Sequence, residues 1–191
     1  MKWMSKPKFF VDFDITIVDS IKKICELYNS YWQYHPKFIP ADHTKIQQYN
    51  FKDVCPLLTT ALSLFEDKLF FEDLEFIEPN TYEVLEKLNK KYQLIVVSVG
   101  TPKNIAMKAN WLNDNLSFIK DYILLYNDGC KMDKSVVNMD NSIFVDDIPS
   151  NLASTNAKIK IQFGKIYPWN KEGLNKYDHC LNWSEIEERF L

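Results

Sequence analysis

The chain has 191 residues, of which 46% are hydrophobic, and it carries a formal net charge of −3. This length suits one compact domain, or a core with one inserted lobe. The slightly acidic balance argues against a nucleic acid polymer as partner, because such binding normally requires a surplus of basic residues. Arg189 is the only arginine, so any phosphate recognition must use lysines, hydroxyls and backbone amides.

Cysteine usage and the lengths of the apolar runs narrow the class further. The cysteines are scattered, at Cys25, Cys55, Cys130 and Cys180, and no two of them form a C-x-x-C pair. Because the three histidines are scattered too, the pattern disfavours a zinc site and fits reduced thiols. No apolar run reaches membrane-spanning length, and the N-terminus lacks the apolar stretch of a signal peptide. We therefore expect a cytoplasmic protein without membrane association, and the sequence leaves its oligomeric state open.

Short runs of apolar, β-branched or aromatic residues predict the strands of the fold. In chain order these runs are Phe9–Val11, Leu94–Val97, Tyr122–Tyr126, Ile143–Val145 and Ile159–Phe163. Continuous runs of this kind are typical of strands that are buried on both faces of a parallel sheet.

Helical patterns lie between these strands, at Thr81–Lys91, Lys103–Leu112 and Pro149–Asn156. Pro102 and Pro149 stand where a helix would begin directly after a strand, a position that proline favours. The alternation of strand and helix predicts an α/β fold with a doubly wound parallel sheet.

The segment from residue 17 to residue 79 interrupts this alternation. Apolar residues between Ile21 and Trp32 are spaced as one face of a helix, and Pro56–Leu69 repeats the pattern. A single crossover helix would need far fewer residues. The sequence therefore predicts an α/β catalytic core made of residues 1–16 and 80–191, with a small helical cap at residues 17–79 inserted into it.

Polar residues that could carry chemistry follow three of the predicted strands. Asp12 and Asp14 follow the first, Ser98 follows the second along the chain, and Asp146 and Asp147 follow the run at Ile143–Val145. Taken singly, such residues often only cap a helix or a turn. Because the carboxyl ends of parallel strands meet at one edge of a sheet, we expect these side chains to converge in one cleft.

Together with Lys134, these residues resemble the motifs of the haloacid dehalogenase (HAD) superfamily. Asp12-x-Asp14-x-Thr16 is similar to its first motif, Ser98 to the second, Lys134 to the third, and Asp146-Asp147 to the fourth. Ile15 is a departure, since many members have glycine at that position.

Several segments more narrowly resemble the 5′(3′)-deoxyribonucleotidases. They are Asp133–Val137, Ile143–Asp147, Ile161–Gly164, Tyr167–Asn170 and Asn182–Ile186. The resemblance implies a phosphomonoester hydrolase in the cytoplasm that takes a small phosphorylated substrate, in this case a nucleoside monophosphate with deoxyribonucleotides favoured.

The resemblance also implies a role for each residue of the set. Asp12 would form an aspartyl-phosphate, and Asp14 would protonate the leaving group and then activate water. Lys134 would neutralise charge on Asp12 and on the phosphoryl oxygens. The Ser98 hydroxyl and the amides that follow it, beginning at Val99, would bind the phosphate.

Magnesium is the cofactor that the resemblance implies. Its ligands would be the carboxylates of Asp12 and Asp146 and the backbone carbonyl of Asp14. Asp147 would orient the site from behind these ligands.

The predicted cap is rich in aromatic residues that could stack on a nucleobase, and in amides that could instead pair with sugar hydroxyls. The aromatic candidates are Tyr28, Tyr31, Trp32, Phe38, Phe51, Phe70 and Phe71, and the amides are Asn29, Gln33, Gln47 and Gln48. Most of the aromatics are expected to pack the cap's own core. A phosphatase of the same superfamily that acts on a sugar phosphate or another small phosphoester therefore stays an alternative to the nucleotidase. A non-catalytic phosphate-sensing module, which also uses acidic residues, Ser/Thr and Lys, is a second alternative.

Overall fold

The computed structural model describes residues 6–126 and 133–191. The strands are β1 (Lys8–Val11), β2 (Gln93–Gly100), β3 (Asp121–Tyr126), β4 (Ile143–Asp146), β5 (Ile159–Phe163) and β6 (Asp178–Cys180). The α-helices are α1 (Ser20–Trp32), α2 (Leu62–Phe65), α3 (Lys68–Phe71), α4 (Thr81–Lys91), α5 (Pro102–Asn115), α6 (Pro149–Ser154) and α7 (Trp183–Phe190). Short 3₁₀ turns lie at His43–Lys45, Lys134–Val136 and Lys171–Asn175.

The six strands form one parallel sheet in the order β3-β2-β1-β4-β5-β6. This order confirms the predicted doubly wound α/β fold. The order along the sheet reverses between β1 and β4, which are neighbours although about 130 residues of chain separate them. In such sheets the crevice at the reversal, outside the carboxyl ends of the strands, is the usual place for a ligand.

Alternation along the strands explains why both sheet faces are covered. Phe9 and Val11 belong to a large core with α1, α4, α5 and α7, whereas Phe10 packs on the opposite face with Leu152 of α6. Successive side chains of a strand point to opposite faces, so a run without polar residues must be buried on both. All five predicted strands are present.

The predicted helices of the core are also present, with shifted ends. Thr81–Lys91 is confirmed as α4, while α5 continues to Asn115 and α6 ends at Ser154. Pro102 and Pro149 are the first residues of their helices, as predicted. The sequence reasoning missed β6 and α7. In the case of β6 the reason is that the strand is only three residues long and contains two polar residues.

Residues between β1 and α4 form a helical region without a strand of the sheet, in agreement with the sequence pattern. The prediction of one helix at Pro56–Leu69 is wrong in detail, because helix begins only at Leu62 and stops before α3. Asp67 accepts a hydrogen bond from the backbone of Leu69 and so starts α3 as a separate helix. The cap boundaries at residues 17 and 79 stay a prediction.

Two connecting segments, residues 16–18 and residues 76–77, join the helical region to the sheet, and they are hydrogen-bonded to each other. Val18 forms an antiparallel bridge with Phe76, and the Ile77 amide donates to the Ile17 carbonyl at 2.9 Å. The buried Trp183 side chain donates from Nε1 to the Thr16 carbonyl, also at 2.9 Å. The start of α7 therefore holds the first of these connecting segments, residues 16–18, in place.

Within the described residues, no helix is long and apolar enough to cross a membrane. The thiols of Cys25, Cys55 and Cys180 are free and buried, and Cys130 lies outside the described residues.

Candidate active site

Asp12 and Asp146 lie side by side at the point where the strand order reverses. Asp12 directly follows β1, and its amide donates to the Val145 carbonyl of β4 at 3.0 Å. Both side chains are buried, with Asp12 5% exposed and Asp146 fully enclosed. The sheet therefore places two carboxylates, which are far apart in sequence, in one poorly solvated crevice.

Lys134 supplies a positive charge to both of these carboxylates. Its Nζ lies 2.6 Å from Asp12 Oδ1 and 2.5 Å from Asp146 Oδ2. Burial by itself would lower the pKa of Lys134, but the two neighbouring carboxylates together outweigh it and raise that pKa. Lys134 is therefore a permanent cation in the crevice and no candidate for a general base.

Asp146 is also fixed by its own chain. Its Oδ1 accepts a hydrogen bond from the Ile148 amide at 2.8 Å, and the Asn151 side-chain amide donates to both carboxylate oxygens at 3.1 Å. Asn151 belongs to α6, so the turn from β4 into that helix holds the carboxylate. The sequence reasoning did not single out Asn151.

Asp147 completes a group of three carboxylates. One carboxylate oxygen each of Asp12, Asp146 and Asp147 lies within 4.8 Å of the others, and all three residues are buried. The Oδ2 atom of Asp147 is buried without a hydrogen-bond partner among the described residues. Burial, together with the charges of Asp146 and Asp12, raises the pKa of Asp147 well above its ordinary value.

The balance of charge fits a divalent cation at this cluster. Burial is the largest cause that raises the pKa of Asp12 to about 7, and Lys134 only partly opposes it. When all three carboxylates are ionised they face one buried ammonium, and the excess of negative charge that results contributes to the raised pKa values. Carboxylate oxygens and an orphaned buried acceptor are the ligands that a hard cation such as magnesium takes.

Asp14 is held on the other side of the crevice. Its Oδ1 accepts a hydrogen bond from the Ser20 hydroxyl at 2.7 Å, and its Oδ2 is paired with the ammonium of Lys108. The Asp14 side chain stays 23% exposed, whereas that of Lys108 is buried. The second predicted aspartate is therefore in the cleft, anchored by two groups that the sequence reasoning missed.

Ser98 and Val99 lie at the end of β2, next to Lys108. The Lys108 Nζ donates to Ser98 Oγ at 2.8 Å and approaches the Val99 carbonyl at 3.4 Å. A side chain at Gly100 would collide with Asn104, whose amide donates to the Phe65 carbonyl at 2.7 Å. Glycine at this position thus leaves room for a contact between the core and the helical region.

Lys108 left a signal in the sequence that a closer reading could have used. It lies on the face of α5 that also carries Asn104, Trp111 and Leu112, all of which are buried. A lysine in such a stripe must find a partner inside the protein, because an unpaired buried charge is too costly.

A cleft of about 500 Å³ lies under the helical region, and the site residues in its floor are Asp12, Asp14, Ser98, Lys108, Lys134 and Asp147. The walls from the helical region carry Tyr49, Phe51 and Phe65 together with the polar Asn50, Lys52, Thr59 and Thr60. Of the seven aromatic candidates, Phe51 is in this lining. Others pack on one another, as Tyr28 does on Trp32 at 5.3 Å between ring centres.

The four amides proposed for sugar recognition are not in the lining of this cleft. Asn29, for example, exchanges two hydrogen bonds with the backbone of Ala41. The sequence could not show which face of each element would turn inward.

Ile15 has a backbone conformation that glycine adopts more readily than a residue with a side chain. Its φ is +58°, in the left-handed region that costs a residue with a side chain about 1–2 kcal/mol. The turn is fixed by hydrogen bonds from the Ile15 amide to the Val18 carbonyl and from the Ile17 amide to the Phe13 carbonyl. The departure is therefore tolerated with backbone strain, and the Ile15 side chain lines the cleft.

The fold and the site together define a class of protein. A phosphate-sensing receiver, the non-catalytic alternative, would show the strand order 2-1-3-4-5. The order found here, with Asp12 and Asp146 at the ends of β1 and β4, Ser98 near the end of β2 and a buried lysine between the two aspartates, instead fits the class of HAD-type phosphohydrolase that the sequence motifs resemble.

Comparison with known proteins gives the family. The model of the family "5' nucleotidase, deoxy (Pyrimidine), cytosolic type C protein" (NT5C) matches residues 6–191, and the chain belongs to this family. A 5'(3')-deoxyribonucleotidase from Clostridium acetobutylicum is 26% identical over 185 residues, which cover 96% of this chain and 94% of the relative.

Solved structures share the fold. A predicted phosphatase from Clostridium acetobutylicum has a TM-score of 0.66 at 14% identity, covering 97% of this chain and 98% of that one. A HAD hydrolase from Bacillus subtilis, solved with bound magnesium, has a TM-score of 0.58 at 10% identity, covering 97% and 99%. As a member of the NT5C family the chain is a phosphatase, a nucleotidase-like hydrolase, and not a non-catalytic module, and it has the fold of the HAD hydrolases.

Proposed function

We propose that the protein is a magnesium-dependent 5′(3′)-deoxyribonucleotidase that hydrolyses nucleoside monophosphates through an aspartyl-phosphate on Asp12. One observation carries the mechanism. Asp12 stands at the reversal of the strand order, with Lys134 bonded to it on one side and Ser98 and Lys108 across the same cleft. A carboxylate among cations and donors for a phosphoryl group is the arrangement that phosphoryl transfer requires.

The proposed reaction has two steps. An oxygen of the Asp12 carboxylate attacks phosphorus, the bond to the ester oxygen breaks, and the leaving alkoxide takes a proton from Asp14. In the second step Asp14 takes a proton from the water that attacks phosphorus. This step releases inorganic phosphate and restores Asp12.

Cations and donors fixed in the site stabilise the charge on the transferring group. The Lys134 ammonium is already in place between Asp12 and Asp146, so it need not reorganise during the reaction. Ser98 offers its hydroxyl, and the backbone from Val99 onward offers amides for the equatorial oxygens. Burial of the site strengthens each of these interactions, because water is largely excluded.

Asp12 and Asp146 would hold the magnesium ion, with the Asp14 carbonyl as a further ligand. When bound, magnesium would supply charge neutralisation for the phosphoryl oxygens. Asp147 is close enough to the other two carboxylates to be a ligand as well, whereas the sequence pattern predicted only an orienting role for it.

The walls of the cleft support a nucleoside as the leaving group. Tyr49, Phe51 and Phe65 offer flat apolar surfaces, and stacking of a base on an aromatic ring is worth about 1–3 kcal/mol. A volume of about 500 Å³ is in the range of small-molecule sites. Four polar wall residues support the alternative, a sugar phosphate: Asn50, Lys52, Thr59 and Thr60.

A phosphate-release panel tests the substrate. We would compare kcat/KM for deoxyribonucleoside 5′- and 3′-monophosphates, their ribose counterparts and several hexose phosphates at one magnesium concentration. The proposal expects a deoxyribonucleotide to be the best substrate. A sugar phosphate that exceeds every nucleotide by tenfold, about 1.4 kcal/mol of transition-state stabilisation, would contradict it and support the alternative.

A further inference from the structure

Lys108 is the second buried lysine of the cleft, and the proposed mechanism gives it no task. Its side chain is 1% exposed, and its ammonium has three acceptors: an oxygen of Asp14, the hydroxyl of Ser98 at 2.8 Å and the Val99 carbonyl at 3.4 Å. An ammonium has three hydrogens, so these acceptors use its full capacity. The lysine thus links the proposed acid–base group to the proposed phosphate site.

Each oxygen of the Asp14 carboxylate has one donor in this arrangement. One oxygen accepts from Ser20 and the other from Lys108. To give a proton to a leaving alkoxide, the Asp14 side chain can release the Ser20 hydroxyl and turn toward the cleft while it keeps its bond to Lys108. Its partial exposure leaves room for that rotation, whereas Lys108 is enclosed by the packing of α5.

A substrate phosphate that accepts from the Ser98 hydroxyl would come within reach of the Lys108 ammonium, because those two groups already touch. Phosphate oxygens are stronger acceptors for an ammonium than a neutral hydroxyl or carbonyl. The phosphate would therefore displace the Ser98 hydroxyl or the Val99 carbonyl from Lys108 and share the cation with Asp14.

We propose that Lys108 is a positioning residue that holds Asp14 at the edge of the phosphate site and keeps this bond when the substrate phosphate replaces its two neutral partners, the Ser98 hydroxyl and the Val99 carbonyl. This inference rests on the proposed role of Asp14 as the acid that protonates the leaving group. It explains why the cation is fixed on a helix while its aspartate partner lies on a turn at the cleft edge. Lys108 thereby places the acid beside the bound phosphate.

The test compares two leaving groups. Para-nitrophenolate leaves without a proton, whereas an alkoxide needs one, so loss of the acid harms only the second reaction strongly. For Lys108→Met we expect kcat/KM to fall by about 100-fold or more with an alkyl phosphate, a typical contribution of a general acid. With para-nitrophenyl phosphate we expect a fall of no more than about tenfold. The best nucleotide is the alkyl phosphate of choice, and glycerol phosphate replaces it should nucleotides fail as substrates.

A double-mutant cycle gives the second readout. If Lys108 acts on the acid through Asp14, the pair Asp14→Asn/Lys108→Met loses no more than about tenfold beyond Asp14→Asn alone on the alkyl phosphate, which is the share of the direct phosphate contact. Lys103→Met, an exposed lysine on the same helix, is the matched control and should behave as the wild type. Lys108→Gln is measured alongside and gives the same comparison if the methionine variant does not fold. Equal losses on both leaving groups, or additive losses in the double mutant, would overturn the proposal.

Discussion

The Lys134 ammonium joins Asp12 and Asp146, two carboxylates from neighbouring strands, at 2.6 Å and 2.5 Å. All three side chains are almost completely buried. Because Asp147 belongs to the same group of carboxylates, the single ammonium of Lys134 faces three carboxylates. This arrangement lowers the stability of the metal-free protein, and binding of a further cation would raise it.

Replacement of Lys134 tests this charge balance. In Lys134→Met the buried carboxylates lose their counter-charge, and removal of one partner from a buried pair typically costs about 3–5 kcal/mol. We expect a loss of that order in the free energy of unfolding by urea without metal, together with loss of phosphatase activity. Lys165→Met, an exposed lysine near the helical region, is the control. Unchanged stability of Lys134→Met would contradict the buried ion pair.

The stability of the metal-free protein should depend on pH through Asp12. Its pKa is raised to about 7 in the folded protein, from 3.8. Between these values the folded state binds a proton that the unfolded state has released, so stability falls as pH rises from about 4 to about 7. Asp147 shifts in the same direction. Thermal unfolding in chelator from pH 5 to pH 8 should show this fall, and Asp12→Asn should show less of it.

Magnesium should therefore stabilise the protein more at pH 8 than at pH 5. At low pH the ion must displace protons from the buried carboxylates, which weakens its apparent affinity. The shift in melting temperature on adding magnesium, measured across the same pH range, checks this. A shift that is independent of pH would argue against these carboxylates as the ligands.

Asp12→Asn should separate activity from stability. The amide cannot form an acyl phosphate, so turnover should be lost completely. The same change removes one buried negative charge, so the melting temperature above pH 7 in chelator should equal or exceed that of the wild type. Residual turnover at the wild-type rate would exclude covalent catalysis by Asp12.

The variant Asp147→Asn tests whether Asp147 binds or orients the metal. We expect the magnesium concentration for half-maximal activity to rise by about 10–100-fold, the usual effect of altering a residue that supports a metal site. Excess magnesium should restore most of kcat, because Asp12 and Asp14 are unchanged. Loss of activity that no magnesium concentration recovers would show a different role.

The sequence predicted the sheet well because its strands are continuous apolar runs, and only burial on both faces explains such runs. It also predicted where the chemistry lies, since Asp12, Ser98 and Asp146 each follow such a run, and carboxyl ends of parallel strands share an edge. β6 was not predicted, because its three residues gain their strand conformation from pairing with β5 and their own composition does not favour a strand.

The partners of the site residues could not be predicted in the same way. Lys108, Ser20 and Asn151 lie on helices, and their contacts with Asp14 and Asp146 depend on how those helices rotate and pack. The same holds for the walls of the cleft, where Tyr49 and Phe65 line the space while most of the proposed aromatics pack elsewhere. Composition shows that a region is rich in rings, but only tertiary packing decides which rings face a ligand.

Chemical trapping of the phosphoenzyme tests the central claim most directly. Borohydride reduces an aspartyl-phosphate to homoserine, so the protein would be quenched with borohydride during turnover of its best substrate, digested, and analysed by mass spectrometry. The account predicts homoserine at position 12 in the wild type, and none without substrate or in Asp12→Asn. The variant Asp14→Asn should accumulate the intermediate with para-nitrophenyl phosphate. Homoserine at another aspartate would contradict nucleophilic catalysis by Asp12, and so would its absence from both the wild type and Asp14→Asn.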